Sequence, residues 1–276
     1  MLAIVLALGA SVSYGVGDFL GGLTSRRLHV LTVLALSQLA GAAAVGVWVV
    51  ADRQPFLGAG ATLAAMGAGV CGGIGLAALY RGMAVGAMGV VAPISSVAAA
   101  IPFVWGIAAG ERPSLVQLAG VGVALVGLVF VSRAPGATRI VAAGVGLALL
   151  AALGFGFYFV LLDAAAEESV PWTVLVARLT STTLALAAAL AAGVSLRPGR
   201  ALLVPVLAVG VCDVSANVLF ALATTRGLLS VVSVLTSLYP AVTVALAALL
   251  LHERLGRGQL AGGSAVLAGA ALISAG

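Results

Sequence analysis

Ten apolar runs, each close to the length of a membrane-spanning helix, constrain this 276-residue chain more than any other feature. They lie at roughly 2–24, 28–50, 59–80, 87–109, 114–132, 140–162, 171–192, 201–225, 228–251 and 258–275. At about 1.5 Å of rise per residue, about 20 apolar residues cross a bilayer's hydrocarbon core. Short polar stretches such as "TSRRLH", "ADRQPF", "GERPS" and "HERLGRG" separate the runs. The alternating pattern of outer-membrane strands is absent. Only 8% of residues are charged, against about 25% in a soluble domain. The expected fold is therefore an all-α membrane protein with ten transmembrane helices.

The second constraint is a repeat. "TVLALSQLAGAAA" (32–44) matches "TVLVARLTSTTLA" (173–185), and "GVC" (69–71) matches "GVC" (210–212), both at an offset of 141. "GERPSLVQLAGVGVALVG" (110–127) matches "HERLGRGQLAGGSAVLAG" (252–269) at 142. Three matches in one order imply a duplicated five-helix unit, residues 1–136 and 137–276. Five is odd, so the second copy enters the membrane from the opposite side. Inverted repeats of this kind build many secondary transporters, because exchanging the halves' conformations exchanges the open side.

The net charge of +5 comes from thirteen arginines and no lysine, most of them between apolar runs. That placement is ordinary membrane flanking, and no aromatic-interleaved basic patch points to nucleic acid. Cys71 and Cys212 sit within apolar runs without metal-ligand spacing and read as packing residues. Met1 leads into the first run without a basic segment, so no cleavable signal peptide is expected. The two histidines, His29 and His252, stand beside loops. No nucleophile–base set, phosphate loop or cofactor motif is present, so neither an enzyme nor a cofactor is expected.

Several residues break the apolar pattern. Asp213 lies about 18 Å from either end of its run, where an ionisable group is costly and functional by default. Asn217 follows one turn later on the same face. Their repeat equivalents are Gly72 and Leu76, so only the second copy is polar there. The plainer reading is polar glue between helices. Asp18 shares a face with Ser11, Tyr14, Gly15 and Gly22, near a helix end whose dipole disfavours an anion. Two acids facing one cavity would make proton coupling possible. Arg178 is read as snorkelling to the interface, and Gln38 as helix glue.

Phe155, Phe157, Tyr158 and Phe159 form an aromatic cluster that Tyr14 and Tyr239 can join as a cavity wall. Pro93, Pro102 and Pro240 interrupt runs four and nine and are gating candidates, since broken helices at corresponding places mark transport sites. Ser95, Ser96, Ser233, Thr236 and Ser237 lie near them and can contact substrate or freed carbonyls. The cavity is expected between runs one, three, four, six, eight and nine.

"APISSVAAAIPFVWGIAAGERPSLVQLAGVGVALVG" (92–127) and "SLYPAVTVALAALLLHERLGRGQLAGGSAVLAG" (237–269) resemble the drug/metabolite transporter superfamily, specifically its EamA-type branch. Pro240 stands thirteen residues before Glu253, as in that pattern, whereas the first copy has Ala98 at the equivalent place. "SYGVGDF" is similar to the family's opening, with Tyr14 for tryptophan. The resemblance implies a secondary transporter, an exporter of small polar metabolites or amino acids working by alternating access in a bacterial cytoplasmic membrane. Its partners would be a small-molecule substrate, membrane lipid and, as candidate coupling ion, protons. A lipid-carrier flippase of the same superfamily and a non-transport scaffold or sensor stand as alternatives. Glu111–Arg112 and Glu253–Arg254 are read as interfacial anchors. Counting loop arginines puts both termini outside, whereas the resemblance implies cytoplasmic termini.

Overall fold

The computed structural model describes residues 1–85, 88–131, 140–250 and 257–275. These residues form α-helices and one 3-10 turn. The helices are α1 (Leu2–Ser25), α2 (Val30–Asp52), α3 (Ala59–Val85), α4 (Met88–Ser95), α5 (Ala100–Ala108) and α6 (Leu115–Val131). They continue as α7 (Ile140–Ala166), α8 (Val170–Ala191), α9 (Arg200–Thr224), α10 (Leu229–Thr236), α11 (Tyr239–Leu250) and α12 (Arg257–Ala275). Each apolar run coincides with a helix or a helix pair. Among the described residues, seven helical stretches are long and apolar enough to cross a membrane. Large apolar side chains such as Val47, Leu63, Leu153, Leu179, Val204 and Leu249 are exposed, the outward face a hydrocarbon solvent requires.

The ends follow from local chemistry. His29 caps α2, its Nδ1 accepting from the Leu31 N–H at 3.2 Å. Gly110 follows α5 with a φ of +100°, a conformation that L side chains rarely adopt. Ser114 and Gln117 form a reciprocal capping box at the start of α6, with bonds of 2.9 and 3.1 Å. The repeated "ER....Q" stretch is thus, in its first copy, a helix stop followed by a helix start. The second copy's Glu253–Arg254 lies outside the described residues.

Runs four and nine are broken in the middle, as the prolines suggest. α4 passes through the 3-10 turn Ser96–Ala99 into α5, and α10 yields to α11 at Ser237–Leu238. Pro102 stands in the first turn of α5 and Pro240 in that of α11, where a missing N–H costs least. The side chain of Pro93, on α4, lies outside the described residues. The two breaks meet: Ser95 Oγ and Tyr239 Oη are hydrogen-bonded at 2.6 Å.

The most extensive packing joins α3 to α7, α6 to α12, α1 to α9 and α2 to α8. Glycines permit the closest approaches. A Cβ on Gly210 of α9 would stand 2.1 Å from the Ser37 carbonyl oxygen of α2, and one on Gly69 of α3 would stand 2.4 Å from that of Ala177 in α8. Backbones this close leave a narrow interior into which α2, α8 and α9 direct their polar side chains.

Candidate functional site

Arg178 of α8 does not reach the interface. It is buried and paired with Asp213 of α9, Nη1 to Oδ2 at 2.6 Å, with the two side chains 4% and 11% exposed. The physical reason is the acid itself: a buried carboxylate and guanidinium each relieve the other's desolvation, a gain that snorkelling would forfeit. Gln38 of α2 bridges the pair. Its Nε2 donates to Asp213 Oδ2 at 3.3 Å, while its Oε1 accepts from Arg178 Nη1 and from Ser181 Oγ, the latter at 2.9 Å. The expected glue residue is therefore part of the charged centre.

Asn217 lies one turn beyond Asp213. Its amide oxygen is assigned towards the guanidinium, because the opposite orientation would set its NH2 against arginine donors. So placed, the oxygen accepts from Arg178 Nε at 3.2 Å and from Nη2. Its nitrogen donates to the hydroxyls of Tyr158, at 2.9 Å, and Tyr14. A chain of polar contacts thus runs from Ser181 and Gln38 through the ion pair to two phenols on α7 and α1.

The rings make the wall. Tyr14 meets Phe159 and Tyr239 edge-on, each at 6.3 Å between centroids, and Phe159 packs on Phe220 at 4.5 Å. Gly72 makes room for this wall: a Cβ there would stand 2.7 Å from the Tyr158 ring. The repeat equivalent of Asp213 is thus a glycine whose vacancy a tyrosine fills.

Between wall and ion pair is a cavity of about 50 Å³ bordered by Tyr14, Asp18, Tyr158, Arg178, Asp213 and Asn217, with Phe155 and Tyr239 also on its lining. Counting roughly 10–15 Å³ per water, it holds a few waters or one small charged group. Asp18 is 5% exposed, and among the described residues its carboxyl group has no hydrogen-bond or ion-pair partner.

Eight of the residues expected from sequence at a cavity therefore line one: Tyr14, Asp18, Phe155, Tyr158, Phe159, Asp213, Asn217 and Tyr239. Ser95 stands behind it, bonded to Tyr239 and to the Ala92 carbonyl. Ser96, Ser233 and Thr236 are buried outside the lining, and Ser233 Oγ donates to the Ser230 carbonyl of its own helix. The lining comes from runs one, two, three, six, seven, eight and nine, so runs two and seven replace run four. The reason is again Arg178, whose bonds draw α8 and α2 onto α9. Sequence reasoning had a usable signal: one base and one acid, each alone inside an apolar run, are best accommodated as a pair. No cluster of metal-ligating side chains is found among the described residues.

The described residues thus make an all-helical, multi-pass membrane protein with a buried, polar and aromatic-walled cavity. The comparisons name the family. The model of the EamA-like transporter family matches residues 1–133 and again 142–275, and the chain belongs to that family, whose members are generally transporters. No curated protein matches the sequence. A solved structure titled "Crystal structure of protein" shares the fold, with a TM-score of 0.78 over 98% of this chain and 95% of its own, at 16% identity.

Proposed function

We propose that the protein is a secondary active transporter that exports small polar metabolites or amino acids by alternating access between two inverted five-helix repeats, residues 1–136 and 137–276. The observation that carries the reading is the cavity: an ion pair, an amide and two phenols converge on a space walled by helices of both halves.

Contacts related by the repeat offset support the inverted arrangement. A Cβ on Gly15 would meet Val242 at 2.5 Å, and one on Gly156 would meet Ile101 at 2.4 Å. Each of these pairs is the other's equivalent with the halves exchanged, the relation a two-fold axis produces. Likewise Thr32 Oγ1 donates to the Ser195 carbonyl at 2.8 Å, and Ser169 Oγ and Trp172 Nε1 donate to Gln54 at 2.7 and 3.0 Å. These contacts gather the α1–α2 and α8–α9 connections at one end and the α2–α3 and α7–α8 connections at the other. The double match of the family model fits the same scheme.

In this mechanism the ion pair stays within the bilayer while the halves rock about it. Substrate polar groups compete for the donors and acceptors of Arg178, Asn217 and the phenols, and the broken α4–α5 and α10–α11 helices supply the hinges. The test is counterflow in proteoliposomes with a panel of labelled amino acids and polar metabolites, with and without a proton gradient. Saturable counterflow that is lost in Arg178→Ala is the expected result. A panel that moves no faster than through empty liposomes would overturn the reading.

A further inference from the structure

The cavity holds three ionisable side chains, and two of them are already satisfied. Arg178 directs Nη1 to Asp213 and Gln38, and Nε and Nη2 to Asn217. Asp213 takes its charge partner from Arg178 and a further bond from Gln38. Asp18 is left, buried and bordering the same space, without a partner among the described residues. Its surroundings are fixed. A Cβ on the neighbouring Gly17 would lie 3.3 Å from Cys212, so α1 is pressed against α9 beside Asp213. A Cβ on Gly21, one turn beyond Asp18, would lie 2.6 Å from the Tyr80 hydroxyl, which is buried and likewise unpartnered. Tyr14 stands one turn before Asp18, with Tyr239 and Phe159 edge-on to its ring.

We propose that Asp18 is the binding group for the ammonium of a small organic amine, and that the substrate class of this cavity is cationic. A free anion finds no unpaired cation here: to reach Arg178 it must displace Asp213. An ammonium finds a carboxyl group with its acceptors open, which its own charge can hold as the carboxylate, two acids against one base, and aromatic rings whose faces attract cations. The space is the size of a charged head group, and the apolar remainder of an amine would lie along Phe155, Tyr158 and Phe159. This inference rests on the transport reading for its biological setting, while its test is of binding alone.

The experiment is calorimetric titration of the purified full-length protein with three shape-matched probes: 2-phenylethylammonium, 2-phenylethanol and phenylacetate. The ammonium is expected to bind and the other two to fail. Asp18→Asn should weaken ammonium binding by about tenfold or more, the worth of a charged hydrogen bond, and Asp18→Glu by less. Equal binding of the alcohol, tighter binding of the acetate, no binding of the amine, or full affinity in a folded Asp18→Asn would each overturn the proposal. Should Asp18→Asn not fold, the three probes on the unmodified protein still decide it. Amine binding without counterflow of any compound would keep the site and remove the transport reading. Counterflow of anions that survives Asp18→Asn would do the reverse.

Discussion

The Arg178–Asp213 pair stands in place of two charges that a bilayer core could not otherwise accept. Removing one member leaves the other buried and uncompensated, a loss of about 3–5 kcal/mol. Arg178→Ala and Asp213→Asn should each lower the melting temperature in detergent strongly. The double variant Arg178→Gln/Asp213→Asn should recover much of that loss, since no unpaired charge remains, yet stay inactive in transport. Equal instability of double and single variants would mean that the network's geometry, rather than charge compensation, holds the centre. Tyr158→Phe is milder. It deletes one hydroxyl from Asn217 and should cost about 1 kcal/mol.

At the scale of elements, two devices set where the helices lie. Close approach is the first. Gly210→Ala would drive a methyl into the Ser37 carbonyl and separate α2 from α9, opening the Gln38–Asp213 contact. Gly46 and Gly60 have nothing within 4 Å of an added Cβ. Alanine there should be neutral or stabilising by up to about 1 kcal/mol, through helix propensity alone. Thermal melts of the three variants side by side check the contrast. The second device is Glu111. Its Oε1 accepts from the Leu229 N–H at 2.6 Å and its Oε2 from the Ser230 N–H at 2.9 Å, so the glutamate, 118 residues earlier in the chain, caps α10. Gly106 leaves room for it, since a Cβ there would stand 2.3 Å from Glu111 Oε2. The anchor expected of the Glu-Arg motif is thus a specific clamp on the first turn of a broken helix. Glu111→Gln weakens a charge-assisted cap and should cost about 1–2 kcal/mol, read as a lower melting temperature.

For the whole molecule, inversion makes a directional prediction. Positions 27 and 168 are related by the repeat offset, so inverted repeats put them on opposite faces of the membrane. Arg27→Cys and Glu168→Cys should label from opposite sides with an impermeant thiol reagent in intact cells, and whichever side Arg27 takes also resolves the orientation on which arginine counting and family resemblance disagree. Labelling of both from one side would refute the inversion.

Helix positions, the breaks in runs four and nine and the presence of Asp213 and Asn217 inside a membrane run were legible in the chain. Each depends on local composition or on proline chemistry, which a linear reading carries intact. The partnership of Arg178 with Asp213, the role of Gln38 as bridge, the absence of Ser233 and Thr236 from the lining and the isolation of Asp18 were not. They depend on the rotation of each helix about its axis and on which helices touch. A membrane chain hides that information, because its lipid-facing and protein-facing sides are both apolar and no amphipathic stripe marks the inner face. The sequence by itself determined that acids interrupt the apolar runs, while it read the base, Arg178, as reaching the interface. Only the tertiary structure, through backbones brought together at glycines, decided which acid is neutralised and which faces the cavity alone.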